Sequence, residues 1–243
     1  MFPKFIKTAF FLLLVVTLFV PLKIYSQSSF EGKIKMKVTN GDNKSNLIDY
    51  YVKGSKYRFE MNDMEGKGYS IWDTDAKKMI VIMPAQKMYM EMPMDFSKMA
   101  QSAENDSNME KMKEGMKNVK FTHRTKKIQG YDCEELVYKD GEDGESGEIW
   151  YTKELGSFLM TSSKNPFLKG LSSNDMPEDV KNLFKGGFFP MQAITKDKDG
   201  NVVSSMEVVG VDKESLGNDV FSVPDGYKKF DMPAMYNQMM KHN

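Results

Sequence analysis

The residues best equipped to do chemistry in this 243-residue chain are its 22 methionines. They gather at Met79, Met83, Met88, Met90, Met92, Met94 and Met99, then at Met109, Met112 and Met116. An unbranched thioether is flexible and polarisable, which suits contact with an irregular apolar ligand. It is also a soft donor that selects Cu(I). Between Lys87 and Met92, Met88, Met90 and Met92 alternate with Tyr89 and Glu91. A strand here places all three sulfurs on one face. The Met-x-Met spacing suits copper, but the stronger ligands that copper sites recruit are sparse: Cys133, His123 and His242. Copper is therefore the lesser alternative. For any single methionine, simple core filling stays open as a reading.

Nucleophilic catalysis has one thiol to draw on. Cys133 lies between Asp132 and Glu134, whose charges oppose formation of the thiolate. His123 is the candidate base, ten residues earlier and across an expected turn. The cysteine reads better as a small buried hydrophobe, and His123, beside Thr122 and Arg124, as part of an exposed polar face. The acidic run from Asp140 to Glu148 lacks the spacing of an EF-hand loop. No Walker-type glycine loop, His-Glu-x-x-His or Gly-x-Ser-x-Gly occurs. The expectation is a protein that is not an enzyme, with no catalytic residues, no metal and no cofactor. Lys and Arg total 34 and Asp and Glu total 34. Zero net charge gives no bulk attraction to nucleic acid, so no nucleic-acid partner is expected.

The elements that must position these residues are mostly strands. Phe30 to Val38 alternates apolar and lysine residues, the period of a half-buried strand. Leu47–Lys53, the run through Tyr57, Phe59 and Met61, Tyr69–Asp73, Lys78–Met83 and Lys87–Met92 continue a meander with turn residues between. Met94–Lys117 lacks β-branched residues and predicts a helical insertion over the sheet. Phe96 and Met99, and then Met109, Met112 and Met116, recur at helical spacing. Strands resume over Val119–Ile128, Tyr131–Tyr138 and Gly147–Thr152, while Leu155–Leu171 is ambiguous. Pro177, Glu178 and Asp179 open a short helix that stops before Gly186. Phe188–Lys196 and Val202–Asp212 form a hairpin, Val220–Val223 and Tyr227–Phe230 read as closing strands, and Met235–Lys241 as a helical tail. Trp72, Trp150, Tyr151, Phe188 and Phe189 are the expected aromatic anchors of the core.

The amino end reads as a signal peptide. Lys4 and Lys7 precede an uncharged run from Ala9 to Val20, and the small residue Ser26 follows. Pro21 and Lys23 stop the run short of the roughly 20 apolar residues of a membrane span. Cleavage is expected after Ser26, giving residues 1–26 as the signal peptide and 27–243 as one domain. No cysteine lies near the cut, so lipidation is not expected, and a lone cysteine cannot form an internal disulfide.

Several motifs in order carry a resemblance. They are Tyr51–Arg58, Met79–Pro84, Ile128-Gln129-Gly130-Tyr131-Asp132-Cys133, Glu148–Tyr151, Phe189-Pro190-Met191 and Val223-Pro224-Asp225-Gly226-Tyr227. Together they resemble an exported family of unknown function, common in Bacteroidetes-type bacteria and grouped with the LolA-like lipoprotein carriers. The resemblance implies an α+β fold: a curved antiparallel sheet, an incomplete β-barrel, covered on its concave side by helices. It also implies a cavity that holds acyl chains or other apolar molecules. The resemblance lends a fold more than a function; the alternating methionines of the expected strand and the methionine-rich segment after it add the expectation of non-catalytic binding of a lipid or lipoprotein acyl chain in the cell envelope, by Met88, Met90, Met92, Phe96, Met99, Met109, Met112 and Met116. The rival is a structural or protein-interaction module without a cavity. The periplasm is the first expectation for location, with peripheral contact to the outer membrane, its surface or the medium also open.

Overall fold

A computed structural model describes residues 30–42, 44–61, 68–94, 118–139, 144–159 and 177–230. The expected signal peptide, the insertion after Met94 and the C-terminal tail lie outside the described residues.

Among the described residues, twelve strands form one sheet. They are β1 (Gly32–Asn40), β2 (Ser45–Lys53), β3 (Lys56–Met61), β4 (Tyr69–Asp73), β5 (Lys78–Met83), β6 (Met88–Pro93), β7 (Lys120–Ile128), β8 (Tyr131–Lys139), β9 (Ser146–Thr152), β10 (Phe189–Lys196), β11 (Val202–Lys213) and β12 (Lys228–Lys229). Spatially the order is β12-β6-β5-β4-β3-β2-β1-β11-β10-β9-β8-β7. The two end strands, β12 and β7, do not meet, so the sheet is unclosed. Two antiparallel meanders are joined where β1 pairs with β11. Turn chemistry sets the register locally. Gln129 and Gly130, with φ of 51° and 84°, make the two-residue reversal from β7 to β8, the left-handed pair that a tight hairpin requires. The Asp197 carboxylate accepts the N–H groups of Asp199 and Asn201 and shapes the β10–β11 turn.

The sheet bends strongly toward one face. Tyr50 on β2 and Phe189 on β10 are separated by β1 and β11, about 14 Å along a flat sheet at the usual strand spacing. Their rings lie 5.9 Å apart. The face they share is therefore concave, and it holds the main core: Ile34, Met36, Tyr50, Val52, Tyr57, Cys133, Trp150, Phe189, Met191 and Val208, with Leu155 and Leu159 after β9.

Two smaller clusters lie on the convex face, one near each end. The helix α1 (Glu178–Gly186) sets Leu183, with Phe188 just after it, against Leu136 and Tyr151. Leu216 and Phe221 cover Ile71, Ile80 and Ile82 at the other end. The convex cover is strapped down by polar contacts. Glu31 accepts the Leu216 N–H at 2.7 Å, Lys53 donates to the Leu216 carbonyl, and Arg58 donates to the Val220 carbonyl at 3.2 Å.

Two expectations need correction here. Val220–Val223 is not a strand: Asn218–Phe221 is a 3-10 turn whose apolar side chains plug the convex face. Tyr227–Phe230 closes no hairpin either, since β12 pairs in parallel with β6. The described α-helix packs on the convex side at β8–β9. No described helix lies over the concave face, and the helix expected over 94–117 falls outside the described residues. Among the described residues, no helix is long and apolar enough to cross a membrane.

Candidate functional site

Antiparallel pairing decides which side chains share a face, because directly opposed residues point the same way. In the β5–β6 hairpin, Met79 opposes Met92, Val81 opposes Met90 and Met83 opposes Met88. The rows extend inward. Met90, Val81, Ser70, Phe59, Tyr50 and Ile34 form one continuous cross-strand line from β6 to β1. Met92, Met79, Trp72, Tyr57 and Val52 form the next. Tyr50 and Ile34 are fully buried core residues, so the methionines lie on the concave face.

Burial falls along these rows. Ile34 and Tyr50 are 0% exposed, whereas Phe59, Trp72, Val81 and every methionine of β5 and β6 are only partly buried. The core thus grades into a methionine shelf at β5–β6. The shelf is electrically neutral. Its rows carry no carboxylate or amine, and burial pushes the Tyr50 and Tyr57 hydroxyls above their ordinary pKa. Ser70 is the one hydroxyl outside the tyrosines in these rows, and it accepts the Trp72 indole N–H at 2.9 Å. Charge is segregated to the convex side of the same strands. There Lys33 pairs with Asp49 at 2.8 Å and Arg58 with Glu60 at 3.0 Å, and the Arg58 guanidinium lies 3.8 Å from the Tyr69 ring centre.

Of the methionines singled out in the sequence, Met88, Met90 and Met92 therefore share the concave face. Phe96, Met99, Met109, Met112 and Met116 lie outside the described residues. Met79, Val81 and Met83 belong to the same shelf, although the strand pattern of β6 alone does not include them. The short reversal over Pro84–Lys87 fixes the hairpin register, and counting back from it would have found all three.

The residues of the enzymatic reading are not assembled. Cys133 is fully buried in the concave core, burial raises its thiol pKa, and its sulfur contacts the Tyr131 carbonyl. His123 is exposed on a bulge of β7, where Thr122, His123 and Arg124 lie between the paired positions Phe121 and Thr125. His123 has a φ of 59°. That bulge turns Thr122 and Arg124 onto Glu135, whose side chain is fully buried. Burial alone would raise the Glu135 pKa, but the Arg124 and Thr122 hydrogen bonds outweigh it and hold the carboxyl below its usual range. Lys126 stacks 4.0 Å from the Trp150 ring centre beside this pair. The arrangement satisfies a buried charge. Among the described residues, no group of three or more His, Cys, Asp or Glu could hold a metal ion.

An unclosed, curved antiparallel sheet with a neutral methionine shelf is thus the class of protein that the fold and the site define. The sequence profile of a family described as "Domain of unknown function (DUF4412)" matches residues 30–227, and the chain belongs to that family. No curated protein matches the sequence. Among solved structures, the chain is similar to an uncharacterized conserved protein from Thermus thermophilus, with a TM-score of 0.47 and 9% identity over 85% of this chain and 93% of that one. It is also similar to a chain of the Pseudomonas aeruginosa MucA/MucB complex, with a TM-score of 0.43 and 7% identity over 82% of this chain and 57% of that one. A putative outer membrane lipoprotein-sorting protein domain from Vibrio parahaemolyticus gives a TM-score of 0.30 and 9% identity, over 82% and 91% of the two chains.

Proposed function

We propose that this is a non-catalytic protein of the cell envelope that holds an apolar molecule, a lipid or a lipoprotein's acyl chain, against the methionine shelf. The observation that carries the reading is the pair of cross-strand rows that continue from a fully buried core to partly buried methionines without one ionisable carboxylate or amine. An acyl chain laid along Met90, Val81, Ser70 and Phe59 spans three strand spacings, roughly 14 Å. That is about a dozen chain carbons at a little over 1 Å per bond. Methionine adapts to such a chain without a fixed shape of its own. In the same reading the leader over 1–26 exports the protein to the periplasm. The buried, raised Cys133 thiol and the exposed His123 support the non-catalytic part.

Pairing through sheet edges is less favoured. The β7 edge carries Lys120, His123, Arg124, Lys126 and Lys127 together with a bulge, and charge and bulges discourage strand addition.

Native mass spectrometry of protein purified from its own envelope, followed by lipid extraction, tests the proposal. The expected result is an acyl-bearing adduct that is lost when Met88, Met90 and Met92 are all replaced by Gln. Protein that stays ligand-free from its native source, and takes up no lipid when vesicles are added, would overturn it.

A further inference from the structure

The convex face carries a cavity that the methionine shelf does not explain. It has a volume of about 320 Å³ and lies between β3–β6 and the residues around Phe221. Ile71, Ile80, Phe221 and Val223 supply its apolar lining. Register places the charged lining in order. Lys56 opposes Asp73, Asp73 opposes Lys78, and in the next row Ile71 opposes Ile80, which opposes Glu91.

The two carboxylates are already engaged. Glu91 lies 3.4 Å from the Lys78 amine and 3.8 Å from that of Lys229. One Asp73 oxygen accepts the backbone N–H groups of Asp75 and Ala76 at 3.1 and 2.9 Å and so shapes the β4–β5 turn. Lys56 also lines the cavity, and its amine has no ion pair or hydrogen bond among the described residues. The Tyr89 hydroxyl, at the other side of the lining, has none either.

We propose that this cavity binds a small amphiphilic anion, a medium-chain carboxylate, with the head on Lys56 and the chain over Ile71, Ile80 and Phe221. The volume is at the lower end for a ligand site, so it takes one short chain and excludes a two-chain lipid. With Glu91 held by Lys78 and Lys229 and Asp73 by backbone N–H groups, Lys56 is the lining cation left to receive the head, beside the apolar edges of Ile71, Ile80, Phe221 and Val223. A charge-assisted hydrogen bond to Lys56 fixes which end enters. The site is separate from the shelf: Ile71 and Ile80 point to the opposite side of the sheet from Met79 and Val81.

The test is methyl NMR on full-chain protein recovered from a culture labelled at isoleucine δ1 and methionine ε methyl groups, titrated with octanoate. Ile71 and Ile80, assigned by Ile→Val variants, are expected to shift saturably. Lys56→Gln is expected to weaken the affinity at least fivefold and Lys56→Arg to restore it, while octan-1-ol binds more weakly than octanoate. Ile71 and Ile80 signals that do not move at millimolar octanoate, or equal affinity in wild-type and Lys56→Gln protein, would overturn the proposal. Shifts confined to the methionines would also overturn it while leaving the shelf reading intact, because the two labels report opposite faces.

Discussion

Replacing Tyr50 should show how much of the fold depends on the two halves of the sheet converging. Its side chain is fully buried, and its ring centre lies 4.6 Å from that of Phe59, 5.2 Å from that of Phe158 and 5.9 Å from that of Phe189. Its hydroxyl accepts the Leu159 backbone N–H at 3.1 Å. Tyr50→Phe keeps the ring and removes that acceptor, a loss of about 1 kcal/mol for one buried hydrogen bond. Tyr50→Ala removes the ring as well and leaves a hole among these rings and the stacked Tyr57, costing about 3–5 kcal/mol. For a domain of this size, 1 kcal/mol moves the melting temperature by about 2–4 °C. The two variants should therefore melt a few degrees and roughly 6–20 °C below wild type. Guanidinium unfolding followed by far-ultraviolet circular dichroism gives both free energies, provided the slope with denaturant is unchanged. A Tyr50→Ala cost below about 1.5 kcal/mol would refute the reasoning, because a ring that joins the halves could not be deleted so cheaply.

Other outcomes follow from the β7–β9 end. The Glu135 carboxyl is held below its usual pKa range by Arg124 and Thr122 against the opposing effect of burial. Its stabilisation is thus full above the unfolded carboxyl's pKa of about 4.3 and is lost as pH falls through the lower folded value. Arg124→Gln should move the acid-unfolding midpoint to higher pH, and an unchanged midpoint would show that the pair contributes nothing. The Cys133 thiol is buried, with its pKa raised by that burial. A disulfide reagent at neutral pH should therefore label the native protein only as fast as it opens. Labelling at the rate of a free thiol would contradict the placement of Cys133 in the core.

Alternation made most of the sheet legible in the sequence. In β1, the even positions Ile34 and Met36 are buried and the intervening lysines are not, and in β6 the face shared by Met88, Met90 and Met92 was readable from parity alone. What parity does not supply is which face bends inward, since that depends on pairings between β1 and β11, far apart in the chain. The stretch Val220–Val223 shows the second limit. Its valines and phenylalanine look like a strand, yet Gly217 and Asp219 carbonyls accept short-range N–H bonds and the side chains cap Ile71, Ile80 and Ile82 instead. A short apolar run says that burial occurs, not whether it is reached by pairing or by plugging. Cys133 and Trp150 entered the core as expected, whereas Lys56 gave no sign in the sequence. Its availability follows from its neighbours' commitments in space.

The most direct measurement is paramagnetic broadening of methionine ε methyl signals by a phosphatidylcholine spin-labelled in its acyl chain, a lipid too large for the convex cavity. Met79, Met83, Met88, Met90 and Met92 should broaden together, and the Ile71 and Ile80 methyls across the sheet should keep their intensity. Folded protein whose β5 and β6 methionines stay sharp in the presence of this lipid would contradict an acyl-binding shelf.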